Sequence, residues 1–509
     1  MFTKNDNLLE WVDASSKTYS KGLIGIEKES LRISQGNISS KPHNQALGSS
    51  LCNKFITTDF AEAQIELVTP PFSSNSDLFR FLDNIQHFVI KKLDDEYLWP
   101  FSIPPENNEF KDIAIAYYGK SNKAIFKHVY RNGLANRYGK PMQTISGMHI
   151  NFSFSNSFWN SIKINPTDQN LVELKPEIYF RTIRNIERCN WLLLYLFGAS
   201  PILCKSLISS DYNFSKINNE EYYLPYATSL RMSSMGYQNI GQSKLNISLN
   251  SLNDYILDLK SATETVSDEF SLLNSSIDGL NQLNSSLLQI EDEYYGISRP
   301  KSSNPIDIRQ TSKLTKFGLD YLELRSLDLD PFSLHGIEER NLVFIELFIL
   351  YCTINPSPII DKVERGMINA NNAIVSIEGR RRELKLIREG KEVFLSDWAV
   401  EIINEMEKIS ELFNFAKFNK DEYIEQAKKP EATISARILD QALINDQGFQ
   451  SMAESLAKEN QKRYKEIPRL DNEDWNLFED ETHRSLQEQF ELDKLVDIPF
   501  SEYLENFYK

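Results

Sequence analysis

The sequence predicts an α+β fold in which a sheet carries the chemistry and helices fill the last third of the chain. Three observations predict it. Several segments in the first two-thirds alternate polar and apolar residues with the period of half-buried strands. From Gly336 onward, apolar residues recur at helical spacing almost without interruption. The polar positions of the strand-like segments are filled largely by carboxylates. Strands gathered early and helices late point to α+β rather than to alternating βα units.

In order along the chain, Asn7–Tyr19 reads as a short amphipathic helix and Leu23–Ile33 as the first strand. Within that strand Glu27 and Glu29 share a face, and Lys28 with the flanking Ile24 and Ile26 takes the other. Ala63–Val68 is a second strand, closed by Pro70 and Pro71. Ser76–Glu96 has helical apolar spacing, with Ser76 as its cap. Ile113–Arg137, rich in Tyr, Asn and Gly, is expected to lie over a site rather than in a core. Gln143–Phe154 alternates most clearly, with His149, Asn151 and Ser153 opposite Ile150, Phe152 and Phe154. Pro176–Phe197 is a long helix ended by Gly198 and Pro201, Leu224–Gln242 a loop, and Leu252–Phe270 helical. Leu319–Ser326 is a strand that puts Tyr321, Glu323 and Arg325 on one face. Helices follow at about 336–355, 358–378, 396–416, 421–429, 433–445 and 448–465, with a hairpin at Leu384–Val393 and a loosely helical acidic tail over 470–509. No repeat or low-complexity linker divides the chain. One unit over 1–509 is expected, with a sheet-bearing core at 22–335 and a mainly helical portion at 336–509 packed on it.

The charge balance is acidic, 56 Lys+Arg against 72 Asp+Glu. A nucleic-acid partner calls for a basic domain, so that class is excluded. The longest apolar runs, Trp191–Ala199 and Leu342–Ile354, are too short or too broken by charge to span a bilayer, and the N-terminus lacks the apolar stretch of a secretory signal. The four cysteines, Cys52, Cys189, Cys204 and Cys352, form no C-x-x-C pair and read as small core residues of a reduced protein. A cytoplasmic protein without nucleic-acid or membrane partners is expected.

The polar faces of the strands collect Glu27, Glu29, Glu66, His149 and Glu323, with Arg325 beside the last and Asp59 just before the Glu66 strand. In one antiparallel sheet they form an acidic row. Such a row needs cations, and oxygen-rich ligands favour magnesium or manganese. Magnesium held by a few carboxylates completes its shell with phosphate oxygens, and an arginine at the edge answers the charge of a transferring phosphoryl group. Neither a G-x-x-x-x-G-K-[ST] loop nor a strand-linked G-x-G-x-x-G is present, which excludes P-loop and Rossmann designs. No serine or cysteine nucleophile motif is present either.

The segments G-I-E-K-E-S-L-R, I-T-T-D-F-A-E-A-Q-I-E-L-V-T-P, N-R-Y-G-K-P-M-Q-T-I-S-G-M-H-I-N-F-S, Y-L-P-Y-A-T-S-L-R-M-S-S-M-G-Y, Q-I-E-D-E-Y-Y-G-I-S-R-P-K and Y-L-E-L-R-S-L-D-L-D-P-F resemble the proteobacterial type of glutamate–cysteine ligase. The likeness runs in order from about 22 to 375 and resumes at Thr433–Leu439. Lys28 and Ser30 depart from the Arg and Thr common there, and 267–283, 301–313 and the tail beyond about 450 diverge. The resemblance implies a curved, mainly antiparallel sheet like that of the glutamine synthetase catalytic domain. It also implies ATP-dependent joining of the γ-carboxylate of L-glutamate to the amine of L-cysteine through γ-glutamyl phosphate, by a monomer. On it, Glu27, Glu29, Asp59, Glu66, His149 and Glu323 would ligate magnesium. Arg325 would hold the transferred phosphate beside Glu323, and Tyr130, Arg131, Arg231, Tyr237 and Tyr295 would line the amino-acid pockets.

Other readings stand beside these. Asp59 can cap the turn before Glu66, Glu62 can be ligand or bystander, His149 can be a hydrogen-bonded structural residue, and Tyr237 and Tyr295 can be half-buried aromatics. The whole can be a sister ligase that uses glutamate with another amine, or a cation-stabilised binding protein. Intact Glu27, Glu29, Glu66, Glu323 and Arg325 argue against the last.

Overall fold

The computed structural model describes residues 6–8, 22–106, 112–161, 171–208, 212–236, 242, 245–275, 281–413, 415, 418–445, 447–468, 473–495 and 498–509. Its centre is an antiparallel sheet. Six strands form the main path: β1 (Leu23–Ser34), β2 (Ile56–Thr58), β3 (Gln64–Val68), β4 (Met148–Ser153), β5 (Ser298–Lys301) and β6 (Tyr321–Leu327), in the order β5-β6-β4-β1-β3-β2. Two short strands, Asn37–Ile38 and Glu96–Leu98, pair with the far end of β1. β1 is central because its alternation continues for 12 residues, long enough to pair on both sides.

One face of this sheet is apolar. Ile24, Ile26, Ile65, Leu67, Ile150, Phe152, Leu322 and Leu324 are all buried there. Helices α1 (Asn75–Lys92) and α3 (Leu171–Phe197) pack against this sheet, α1 on β1 and β3, α3 on β5 and β6. Between them, α2 (Asn122–Tyr138) runs over the opposite side, where it lines the site. Around α3 gather α4 (Glu339–Ile354) and α5 (Lys362–Glu378), with α6 (Leu395–Leu412) on α4. Arg181 of α3 explains part of this order. It donates from Nε to the Thr353 carbonyl at 2.7 Å and from Nη2 to the Ile354 carbonyl at 3.1 Å, satisfying acceptors left over at the C-terminus of α4.

Four local expectations need correction. The helix read over Ser76–Glu96 is Asn75–Lys92, and its cap is Ser74, which accepts from the Asp77 amide, not Ser76. Asn122–Tyr138 is a 17-residue helix in the segment read only as polar cover. Its Tyr, Asn and Gly content lowers intrinsic propensity, but Ser121 caps it, accepting from the Ala124 amide, and Gly139 ends it at φ 85°. β5 was not anticipated because Pro300 sits inside it; at a sheet edge a missing amide costs no ladder bond. The tail is not loose. α8 (Glu473–Lys494) follows α7 (Gly448–Glu466), both pack on α1, and Phe478 of α8 lies 5.2 Å from the Phe81 ring. The last helix, α9 (Phe500–Tyr508), returns to α2. The expected helix at Asn7–Tyr19 lies almost wholly outside the described residues. No helix among the described residues is long and apolar enough to cross a membrane.

The end of β1 beyond the site is pinned by one buried arginine. Arg32 is 1% exposed and donates from Nη1 to both Glu96 oxygens at 2.8 and 3.1 Å, and from Nη2 to the Lys41 and Glu62 carbonyls at 2.7 and 2.9 Å. Removing one member leaves the other charge buried alone. Arg32→Met should therefore destabilise the chain by about 3–5 kcal/mol in denaturant unfolding, whereas the double change Arg32→Met/Glu96→Leu should cost clearly less. Equal losses in the two variants would show that the pair contributes through packing, not charge.

Candidate active site

The face of the sheet opposite the apolar one is a row of charge. Register sets it: Glu27 of β1 pairs with His149 of β4, Glu29 of β1 with Glu66 of β3, and Glu323 of β6 with Asn151 of β4 and Arg299 of β5. Directly opposed side chains stand close enough to interact. Ligand atoms of Glu27, His149 and Glu323 all lie within 4.8 Å of one another. His149 Nδ1 is 3.2 Å from Glu27 Oε2 and 3.6 Å from Glu323 Oε1, and its Nε2 is 3.5 Å from Glu29 Oε1. Asn151 donates to Glu27 Oε1 at 2.8 Å, and the Gly147 amide donates to Glu29 Oε2 at 2.6 Å.

Positive charge is spread unevenly along this row. Burial opposes ionisation of Glu323, but Arg325, Lys301 and Arg299 outweigh it and hold the carboxyl well below the usual carboxylate range. Burial also opposes ionisation of Glu27, and the hydrogen bond with His149 tips it the other way. At Glu29 the help from Arg231, Arg325 and the Gly147 amide does not outweigh burial, and at Glu66 the neighbouring carboxylates add to it. Burial, then the Asp59 charge, pushes Glu29 up to about 8. Burial, then the charges of Glu27, Asp59, Glu29 and Glu323, drives Glu66 well above the carboxylate range. No hydrogen bond or ion pair to the Glu66 carboxylate is found among the described residues. His149 is kept neutral first by burial and then by Arg325.

Arg325 owes its position to a feature the sequence does not announce. The β6–β4 register shifts between Leu324 and Leu327, so one extra residue bulges beside the site. Bulges re-aim side chains. Arg325 Nη1 here donates to Glu323 Oε1 at 2.6 Å while the side chain faces two adjoining cavities. The larger, about 450 Å³, is lined by Glu27, Glu29, Asp59, Glu66, His149 and Glu323 along its floor. The smaller, about 70 Å³, is lined by Glu29, Asp59, Tyr130, Arg131, Tyr295 and Arg325, among others. All six residues expected around a metal thus meet in one cavity.

The residues expected around the amino acids divide. Tyr130 and Arg131 of α2 line both cavities, and Tyr295 lines the smaller. Arg131 is aimed by the Asp59 carbonyl, which accepts from its Nε, and by the Tyr118 ring 4.7 Å from its guanidinium carbon. Gln143 donates to the Tyr295 hydroxyl at 2.8 Å. Arg231 lines neither cavity. It is 1% exposed, donates to the Arg325 carbonyl at 2.9 Å and lies 3.6 Å from Asp328. A Cβ at Gly147 would meet its Nη2 at 2.1 Å, so the arginine occupies the space under Gly147 and beside Glu29. Tyr237 lies outside the described residues. Glu62 is structural: its carboxylate accepts from the His43 and Tyr117 amides at 2.6 and 2.7 Å. Sequence reasoning missed Lys301, which faces Glu323 at 3.3 Å, and Arg299. Their signal was alternation across Ser298–Lys301, masked by Pro300.

The family model for glutamate–cysteine ligase matches residues 9–375. The glutamate–cysteine ligase of Shewanella halifaxensis is 38% identical over 512 residues, covering 98% of each chain. That of Pseudomonas putida is 38% identical over 483 residues, covering 93% of this chain and 92% of its own. The crystal structure of the Francisella tularensis glutamate–cysteine ligase, in complex with AMP, superposes with a TM-score of 0.89 at 31% identity, covering 96% of this chain and 98% of that one. By the family model and by these relatives, the chain belongs to the glutamate–cysteine ligase family.

Proposed function

We propose that the chain joins the γ-carboxylate of L-glutamate to the amine of L-cysteine at the cost of ATP, through γ-glutamyl phosphate, and so performs the first step of glutathione biosynthesis. We place it in the cytoplasm, in keeping with its four unpaired cysteines, and read it as a monomer. The observation that carries the reading is the charge imbalance of the sheet: protein cations outweigh burial at Glu323, whereas burial and neighbouring carboxylates prevail at Glu29 and Glu66 and raise both. A site built this way calls for positive charge from outside.

Glu27, Glu29, Asp59, Glu66, His149 and Glu323 suit magnesium or manganese, since five of the six donors are carboxylates and the His149 Nε2 has no hydrogen-bond partner among the described residues. Divalent ions bound there would neutralise nucleotide phosphates and make the terminal phosphorus electrophilic. The rest falls to side chains. Arg325 stands where both cavities meet, so its guanidinium can follow the phosphoryl group from nucleotide to glutamate. Arg131, Tyr130 and Tyr295 would hold the amino acids in the smaller cavity, the guanidinium answering a carboxylate. Arg231 works from beneath, holding the Arg325 carbonyl in place. A carboxylate is a poor acyl donor. Once phosphorylated, its carbonyl carbon accepts the cysteine amine, the new C–N bond forms, and phosphate leaves.

The assay is ADP release with ATP, magnesium, glutamate and a varied amine. Turnover should require cysteine or a close apolar analogue and vanish in EDTA, returning with added magnesium. Release that persists in EDTA, or that prefers ammonia or a polyamine, would overturn the assignment.

Arg325 gives a second test. Arg325→Lys keeps the charge but loses the planar fork. It should lower kcat by roughly 10²–10³, as removing one preorganised charge stabiliser does, with a smaller change in the KM for ATP. A lower melting temperature with kcat within a few-fold of the parent would make Arg325 merely a structural partner of Glu323.

A further inference from the structure

Tyr118 belongs to neither a strand nor a helix, yet it is 1% exposed. The chain on both sides of it is fixed. Ile115 bridges Ala61, the Ala116 amide donates to the Phe60 carbonyl at 3.0 Å, and the Glu62 amide donates to the Ala114 carbonyl at 2.9 Å. Residues 114–116 thus run beside the turn that follows Asp59. Gly119 then bends the chain at φ 114°, and Ser121 caps α2. Tyr118 stands at the joint between the Asp59 turn and the helix that carries Tyr130 and Arg131.

Its hydroxyl works on the turn. Thr58 Oγ1 donates to it at 3.1 Å, and its own proton faces the Thr58 and Asp59 carbonyls at 3.1 and 3.3 Å. Thr58 ends β2, and the Asp59 amide donates to the Gln64 carbonyl at 3.0 Å, where β3 begins. The hydroxyl therefore pins the backbone that links β2 to β3. From that backbone Asp59 lines both cavities. A phenylalanine would fill the same space and make none of these bonds.

Its ring works on Arg131. The guanidinium carbon lies 4.7 Å from the ring centroid, inside the range of a cation–π contact. Arg131 Nε donates to the Asp59 carbonyl, and Nη1 donates to the Lys127 carbonyl at 3.2 Å. Ring and carbonyls together set the plane of the guanidinium, and the plane sets where its donors point. The Asp59 carbonyl is common to both devices, since Tyr118 and Arg131 both meet it. One buried side chain thus touches the segment read as a metal ligand and the arginine read as an amino-acid anchor. Passing a phosphoryl group to a carboxylate needs those two in one fixed relation.

We propose that Tyr118 is a positioning residue, whose hydroxyl fixes Asp59 for the metal and whose ring aims Arg131 at an amino-acid carboxylate. The inference rests on the roles given above to Asp59 and Arg131. The test compares Tyr118→Phe and Tyr118→Leu with the parent, in the full chain. Manganese binding to the metal-free protein, followed by electron paramagnetic resonance of the free ion, should weaken about 2- to 10-fold in Tyr118→Phe, as loss of one neutral hydrogen bond does. The KM values for glutamate and cysteine should stay within error of the parent there, because the ring remains. Tyr118→Leu should bind manganese as weakly as Tyr118→Phe. Its KM for the amino acid that Arg131 holds should rise about 3- to 30-fold, as loss of a desolvated cation–π contact does, with the other KM unmoved. Equal manganese affinity in the parent and Tyr118→Phe would overturn the inference. So would unmoved KM values in Tyr118→Leu, equal KM shifts in both variants, or a lower melting temperature as the sole change. Tyr118→Phe keeps the buried ring, so the manganese titration decides even where Tyr118→Leu does not fold. If the parent shows no glutamate-dependent ADP release, the ligase reading fails. The manganese titration then decides the hydroxyl's role alone, and equal affinities would still overturn it.

Discussion

Repulsion among like charges in one row of the sheet is the constraint that the rest of the structure answers. Glu27, Glu29, Glu66 and Glu323 are brought together by antiparallel register, not by a flexible loop, so they cannot move apart without unzipping β1, β3, β4 and β6. Part of the repulsion is relieved within the protein, by His149 for Glu27 and by Arg325, Lys301 and Arg299 for Glu323. The remainder, at Glu29 and Glu66, shows as carboxyls raised above their usual range by burial and by one another's charge. The rigidity that makes the row costly also makes it preorganised for ions and phosphates.

That rigidity has visible supports. On the apolar side of the sheet, α1 and α3 fix the strands from below, and Arg181 ties α3 to the carbonyl end of α4. Lys28, between Glu27 and Glu29 in sequence, points into this layer, where Gln86 and the Leu334 carbonyl accept from its ammonium. Burial pushes its pKa down to about 7. At the far end of β1, Arg32 closes a buried ion pair with Glu96. The last helices add to these supports: α8 packs on α1, Asp493 meets the start of α2, and α9 reaches the cavity. The helix that carries Tyr130 and Arg131 is therefore held from both its neighbours in sequence and the end of the chain.

The carboxylate row was legible because period-two alternation puts Glu27 with Glu29 and His149 with Asn151 whatever the pairing. The family resemblance supplied Asp59 as a ligand, and all six expected metal-site residues meet in one cavity. Three things were not legible, each for a physical reason. The bulge that aims Arg325 depends on register between β6 and β4, which no single strand encodes. α2 hides behind residues of low helical propensity, although Ser121 and Gly139 mark its ends. Arg231 was expected in a substrate pocket and lies beneath the site, because the room left by Gly147 and the carbonyl of Arg325 are long-range facts.

The most direct test of the central claim is manganese binding to the metal-free protein, followed by electron paramagnetic resonance of the free ion, in the parent and in Glu66→Gln. Glu66 is raised by burial and by the carboxylates around it, so its neutral amide should weaken manganese binding at least about tenfold while the folded state keeps its melting temperature or gains. Undiminished binding in Glu66→Gln would contradict an account in which the row exists to be bridged by divalent ions.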